Sequence, residues 1–378
     1  MKKNLFISLI AVFTIFAARS QSTYVVNNTP GSAADYHILQ HALDSVPVGS
    51  IILLQNSGLN YGRANITKPL VIYGAGYFLG QNAQPSTQAN TAESIVNLIV
   101  FNTGSQGSIV SGLHIKDSAN DQSILNSRAQ FYNTNNVTLS RCEIEPALAS
   151  NDGGGEALYF SNSSNITVEQ CDILCPVPIL RLSSSTSVMI SNNLFFNFTN
   201  PWAEGFDFQR GNDVNSSYTF KNNTVYARFG GVFDGAQCQL FENNIILTVD
   251  TTRATSSNNG LSNNPLSNAD HNISNIKLLF QYDGSADNTN IINTRLTIDS
   301  IFLYYSNPVV SSTDGIFQVK SNSIAKNAGN DGTDAGAYGG SQPYQPSGIP
   351  AIPYAYSITV PSQGSGTISV HLKAKASN

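Results

Sequence analysis

The sequence predicts an all-β protein built as a single-stranded parallel β-helix, a solenoid with an α-helical cap at its amino-terminal end. Three observations predict it: a six-residue motif that recurs once per winding, a second apolar position held before that motif, and a composition poor in charge but rich in turn-forming residues. The motif reads VSGLHI at 110–115, LSRCEI at 139–144, VEQCDI at 168–173, ISNNLF at 190–195, FKNNTV at 220–225 and FENNII at 241–246. Each copy has an apolar residue, two small or polar ones, then Asn, Cys or Leu, one free position and a closing apolar residue. Successive starts lie 29, 29, 22, 30 and 21 residues apart. Self-similarity at such intervals marks a repeat architecture in which stacked units share a core that none could bury alone.

The second apolar position confirms the register. Phe131, Phe160, Leu182 and Phe233 each stand eight residues before a motif, and Phe208 stands twelve before one. The surrounding text (AQFYN, ALYFS, ILRLS, GFDFQ, GVFDG) alternates over a few residues between Asn, Ser and Gly, which is a strand signal and not a helical one. Parallel stacking places like over like at about 4.8 Å. The fourth motif position then becomes a column of Leu113, Cys142, Cys171, Asn193, Asn223 and Asn244. Stacked asparagines there can pass amide hydrogen bonds from winding to winding while satisfying the bend's backbone, and Cys fits the same narrow site. Cys142 and Cys171 are close enough in such a column for a disulfide, but parallel side chains favour two stacked thiols.

The amino-terminal segment carries a separate message. Lys2 and Lys3 precede an apolar run from Leu5 to Ala18, and small residues close the segment at Ala18-Arg19-Ser20, the pattern of a signal peptide over 1–20. The expectation is an exported protein, secreted or held at the cell surface. The run is too short to span a bilayer, and no later stretch approaches the roughly 20 apolar residues that spanning requires. Without residues 1–20 the chain has 16 basic against 24 acidic side chains, a net charge of −8, which argues against nucleic acid as a partner. Charged residues are only 11% of the sequence, less than half the usual share. The four cysteines are too few for a disulfide scaffold and have no zinc-site spacing, and the His37/His41 pair is not read as a metal site.

At its start the mature chain places Leu39, Ala42, Leu43 and Val46 on one face of a predicted helix over 32–46, stopped by Pro47 and Gly49. NITKPLVIYGAGYFL follows at 65–79. Together with the asparagine column, these segments resemble the bacterial right-handed parallel β-helix proteins, the pectate-lyase-like family with the pectin lyase-like fold. SNSIAKNAGNDGTDAGAYGG at 321–340 is similar, more loosely, to the segment that ends such domains. The resemblance implies a right-handed solenoid over 21–340, an exported protein and polysaccharide as the partner. The helix would shield a strand edge that could otherwise recruit other chains, and a monomer is expected. Between 247 and 305 the repeat fades into Ser/Asn-rich text that reads either as a long loop or as two degenerate windings with insertions. Residues 341–378 read as a proline-rich connector and two closing strands, a cap or an attachment tail.

Candidate chemistry follows from alternation. Residues flanking the inward column of the second ladder face outward: Gln130, Tyr159, Arg181, Asp207 and Val232 before it, and Tyr132, Ser161, Ser183, Gln209 and Asp234 after it. With Glu156, Trp202, Glu204 and Arg210 nearby, this strip gathers charge and aromatic rings as no other segment does in the sequence. Such a strip suits a carbohydrate groove, with rings for sugar faces and Asp, Gln and Arg for hydroxyls and a uronate carboxylate. Tyr159, Trp202, Glu204, Gln209, Arg210 and Glu156 are the candidate binding residues. Asp207, Asp234 and Arg181 are the candidate catalytic ones. The two aspartates could act as acid and base in hydrolysis, or hold Ca²⁺ against an acidic sugar while a basic residue removes the proton next to its carboxylate. The sequence points to no definite cofactor, with Ca²⁺ as the one candidate. No paired-aspartate or Gly-His-Gly pattern of the polygalacturonases is present, nor a recognisable lyase motif, so no catalytic set is carried over from the family. The alternative is a non-catalytic cell-surface or adhesin-like structural protein, in which an Arg181–Asp207 pair on neighbouring windings is a surface ion pair and nothing more.

Overall fold

Windings of the chain lay short strands on three all-parallel sheets of ten, nine and five strands, making a parallel β-helix solenoid. The computed structural model describes residues 21–83, 85–116, 127–145, 156–174, 180–196, 215–227, 237–248, 269–276, 289–303, 312–360 and 369–375. One winding shows the plan: Ala129–Tyr132 joins a five-stranded sheet, Thr138–Ser140 a ten-stranded sheet, and Glu143–Glu145 a nine-stranded sheet.

The six motifs stack in register. Their first residues pair across the ten-stranded sheet as Val110, Leu139, Val168, Ile190, Phe220 and Phe241. Their last residues pair across the nine-stranded sheet as Ile115, Ile144, Ile173, Phe195, Val225 and Ile246. All of these are buried. On the five-stranded sheet Phe101, Phe131 and Phe160 stack nearly parallel at centroid separations of 4.8 and 4.7 Å, and Leu182 continues the column. Isolated aromatic pairs prefer offset or edge-on contact. Here the strand spacing imposes the stack. Phe208 and Phe233 lie outside the described residues.

Between the ten- and nine-stranded sheets the chain turns in two residues. The first takes a left-handed conformation at Gly112, Arg141, Gln170, Asn192, Asn222, Asn243 and His271, which Gly and Asn tolerate best. The second forms the predicted ladder. Asn193 Oδ1 accepts the Cys171 backbone N–H, Asn223 Oδ1 that of Asn193, and Asn244 Oδ1 that of Asn223, each at 2.9 Å. Two further members, Asn272 and Asn290, extend the file at 3.0 and 2.9 Å. They flank short strands at Ala269–Asp270, Ile273–Ser274 and Ile291–Ile292, so the 247–305 region contributes degenerate windings. Cys142 and Cys171 are buried free thiols, and burial raises the Cys171 pKa well above that of an ordinary thiol.

Two segments depart from the sequence expectation. The helix spans Leu39–Ser45 and not 32–46. Residues before it are drawn into the sheet edge: Asp35 takes the Val25 N–H at 2.7 Å, and Tyr36 bridges to Val26, beside the strand Thr23–Val26. Leu39, Ala42, Leu43 and Val46 are nevertheless all buried. The carboxyl-terminal segment, for its part, runs back along the solenoid as a strap. It follows the left-handed bend residues step by step: Asn243 donates to Asn330, Asn192 to the Ala337 and Gly339 carbonyls, Gln170 to the Pro343 carbonyl and Arg141 to the Ile349 carbonyl. The antiparallel strands Tyr354–Thr359 and His371–Lys375 follow it, and near the first windings Ala89 N–H donates to the Ala355 carbonyl. Among the described residues no helix is long and apolar enough to cross a membrane. Residues 1–20 lie outside them.

Candidate functional site

The five-stranded sheet brings three of the predicted residues together. Tyr159 and Arg181 are register partners on adjacent strands, and the Arg181 guanidinium lies over the Tyr159 ring, 5.7 Å from its centroid. Tyr132, one winding earlier, meets Tyr159 edge to face at 5.5 Å. Glu156 stands 3.7 Å from Arg181 Nη1 and accepts the Ser127 hydroxyl at 3.1 Å. Burial, and next the neighbouring Tyr159, raise the Tyr132 hydroxyl pKa. The Arg181 side chain is 52% exposed. Its loose contact with Glu156 is of the kind that contributes about 0–1 kcal/mol. Gln130, expected on the outer face, is buried and donates to the Ser127 carbonyl. Asp207, Asp234, Trp202, Glu204, Gln209 and Arg210 lie outside the described residues.

A second cluster occupies the nine-stranded sheet, and the sequence reading missed it. The fifth motif position, free by the repeat's rule, faces outward beneath the strap. It is His114, Glu143 and Asp172 on three consecutive windings, all register partners. His114 Nδ1 lies 2.5 Å from Glu93 Oε2 and 3.3 Å from Glu143 Oε2. On the other side of the ring, Nε2 lies 3.2 Å from Glu145 Oε1, an ion-pair distance without hydrogen-bond alignment. Asp172 accepts the hydroxyl of Thr313, in the short helix Thr313–Ile316, at 3.2 Å, and the buried Asp314 of that helix accepts the N–H of Ser347 in the strap at 2.6 Å. The Tyr77 and Tyr344 hydroxyls meet at 2.5 Å alongside. Charge and aromatic rings are therefore gathered in two places, not in the lateral strip alone.

Environment splits the carboxyls of this cluster. Burial, reinforced by Asp172 and Glu145, pushes Glu143 well above the usual carboxylate range. Burial and then Asp314 do the same to Asp172. Burial also works to raise Glu93, but its hydrogen bond and charge contact with His114 hold it below the ordinary value. The His114 contact lowers Glu145 directly. Burial opposes protonation of His114, yet Glu145 and Glu93 raise its pKa on balance. Groups driven apart in proton affinity are the raw material of acid–base chemistry. The Glu143 and Asp172 side chains are covered, however, and a polymer has no access to them there. The arrangement suits a small ion, with Glu93, His114 and Glu143 as the group whose donor atoms converge. The exposed lateral strip suits an extended ligand.

No family model matches the chain, and no curated protein matches it significantly.

Proposed function

We propose that this protein is exported, by way of the signal segment at 1–20, and binds an acidic polysaccharide as a monomer along the outer face of the five-stranded sheet. One observation carries the reading: the half-exposed Arg181 guanidinium stacks on Tyr159 beside Tyr132, and among the described residues its charge meets a carboxylate at Glu156 alone, 3.7 Å away. A guanidinium fork can take a uronate carboxylate through two parallel hydrogen bonds, and the tyrosine rings offer apolar surface to sugar faces. Trp202, Glu204, Gln209 and Arg210 would extend this surface along the chain. Cleavage is the stronger form of the proposal and falls to Asp207 and Asp234 with Arg181, either as an acid–base pair or around Ca²⁺ held by the aspartates.

Affinity electrophoresis through gels containing polyuronate or neutral glycan, with and without Ca²⁺, tests this reading. Retardation by polyuronate that Arg181→Ala weakens by about 10- to 100-fold is expected, the equivalent of one charge-assisted hydrogen-bonded contact. Unchanged mobility of the wild-type protein in every glycan would overturn it. Product assays then separate the chemistries. Ultraviolet-absorbing unsaturated ends indicate a lyase, new reducing ends without that absorbance a hydrolase, and retention without products a binder. A second reading, a non-catalytic surface or adhesin-like structural protein, is favoured by the terminal hairpin, where Ile358 and Leu372 are cross-strand partners and both exposed. Absence of both retention and products would favour it.

A further inference from the structure

Glu93, His114 and Glu143 each present one ligand atom, and all three atoms lie within 4.8 Å of one another. Sequence separations of 21 and 29 residues hide the group, because only the winding register brings it together. One of the three converging ligand atoms is left without a hydrogen-bond partner. Glu143 Oε2 is buried with no hydrogen-bond partner, on a side chain 2% exposed, and stands 3.3 Å from His114 Nδ1. A buried polar atom of this kind calls for an explanation such as an ion.

We propose that these residues form a binding site for a divalent first-row transition ion, zinc foremost, with His114 Nδ1, Glu93 Oε2 and Glu143 Oε2 as ligands and water completing a tetrahedron. Zinc bonds to imidazole nitrogen and carboxylate oxygen are about 2.0–2.2 Å, so tetrahedral ligand atoms sit about 3.3–3.5 Å apart. The Glu143–His114 separation already matches. The 2.5 Å contact between His114 and Glu93 is a hydrogen bond whose proton the metal replaces, and it opens by less than about 1 Å to reach ligand spacing. Glu145 supports the site, since its carboxylate lies at ion-pair distance, 3.2 Å, from the far ring nitrogen. A small reorientation would let it accept the Nε2–H and hold the tautomer that leaves Nδ1 free for metal, a common outer-shell arrangement around metal-bound histidine. An imidazole with two carboxylates suits zinc and its neighbours better than calcium, which takes six to eight oxygens. The ion would tie Glu93, in the segment that precedes Ile95–Val96, to two windings of the solenoid.

The test uses the full chain without a polyhistidine tag, stripped by chelator and titrated separately with Zn²⁺, Co²⁺ and Ca²⁺. One equivalent of Zn²⁺ and of Co²⁺ should bind, with visible Co²⁺ bands of a tetrahedral nitrogen–oxygen site, and Ca²⁺ should not compete. Glu143→Gln, nearly isosteric, should weaken binding by about 100-fold or more, and Glu145→Gln by about 10- to 100-fold. The circular dichroism spectrum of each variant reports whether the solenoid is intact, so lost binding in a folded variant is distinguished from misfolding. No stoichiometric Zn²⁺ or Co²⁺ binding by the wild-type protein, equal affinity in Glu143→Gln, or a near-ultraviolet Co²⁺–thiolate band assigning the ion to cysteine would each overturn the proposal.

Discussion

Asn223 is the ladder position at which removal should cost most, because its amide serves both neighbours. Its oxygen accepts the Asn193 backbone N–H at 2.9 Å and the Asn193 amide at 3.1 Å. Its nitrogen donates to the carbonyls of Ile190 and Lys221 at 2.9 and 3.0 Å and approaches Asn244 Oδ1 at 3.3 Å. Asn223 is fully buried, so Asn223→Ala leaves at least the Asn193 N–H and the Ile190 carbonyl without these partners, away from water. Each stranded group costs about 1–3 kcal/mol, giving about 2–6 kcal/mol in total. Gln237→Ala, at an exposed position of the strand Gln237–Glu242, should cost less than about 1 kcal/mol. Urea unfolding followed by far-ultraviolet circular dichroism measures both. A loss at Asn223 within about 0.5 kcal/mol of the wild type, the range of ordinary surface substitutions, would refute the claim that the ladder holds the windings together.

Three other perturbations follow from the structure. Burial raises Asp314 above its ordinary 3.8, so the folded state prefers its acid form and this stabilisation declines as pH rises from about that value towards the folded pKa. Asp314→Asn, which keeps an oxygen for the Ser347 N–H, should remove that decline, and a wild-type-minus-variant melting difference that does not vary with pH above 4 would contradict it. Gly112 has φ of +78°, and a Cβ there would meet Pro350 Cγ at 2.4 Å. Gly112→Ala should therefore cost about 2–5 kcal/mol and expose the strap to limited proteolysis, and an unchanged cleavage pattern would argue against close strap docking. Cys142, Cys171 and Cys238 are buried thiols, with Cys238 pushed up to about 12. They should resist a thiol reagent in the native state and react after denaturation, and stoichiometric native labelling would count against the packing.

The solenoid was legible because its stabilising residues repeat. Every winding presents an apolar residue to the same column, and every asparagine bend meets the same backbone groups, so Val110 through Phe241 and Asn193 through Asn244 announce themselves by spacing. Asn272 and Asn290 escaped notice because their flanking residues are weak: Ala269 and Ser274 replace the apolar ends of the motif around Asn272, and Asp287 replaces the first apolar residue before Asn290. The metal-ligand cluster was hidden for the opposite reason. Its residues occupy the one motif position that packing leaves unconstrained, and only register makes His114, Glu143 and Asp172 neighbours. On the lateral strip, alternation brought Tyr159, Arg181 and Glu156 to one place, but the outward count erred at Gln130, which burial satisfies through Ser127. The strap was not legible at all, since Arg141 meets Ile349, and Gln170 meets Pro343, without any periodic signal.

That strap changes the order in which the molecule can be finished. A stack of windings contacts only its nearest neighbours and can assemble progressively as the polypeptide is made. Here the outer surface of the early windings is sealed by residues near 349, and Tyr354 reaches back to the Pro85 carbonyl. Synthesis from the amino terminus therefore delivers the bolt last, long after the door it fastens. Until then, the first coils must persist with one flank uncovered.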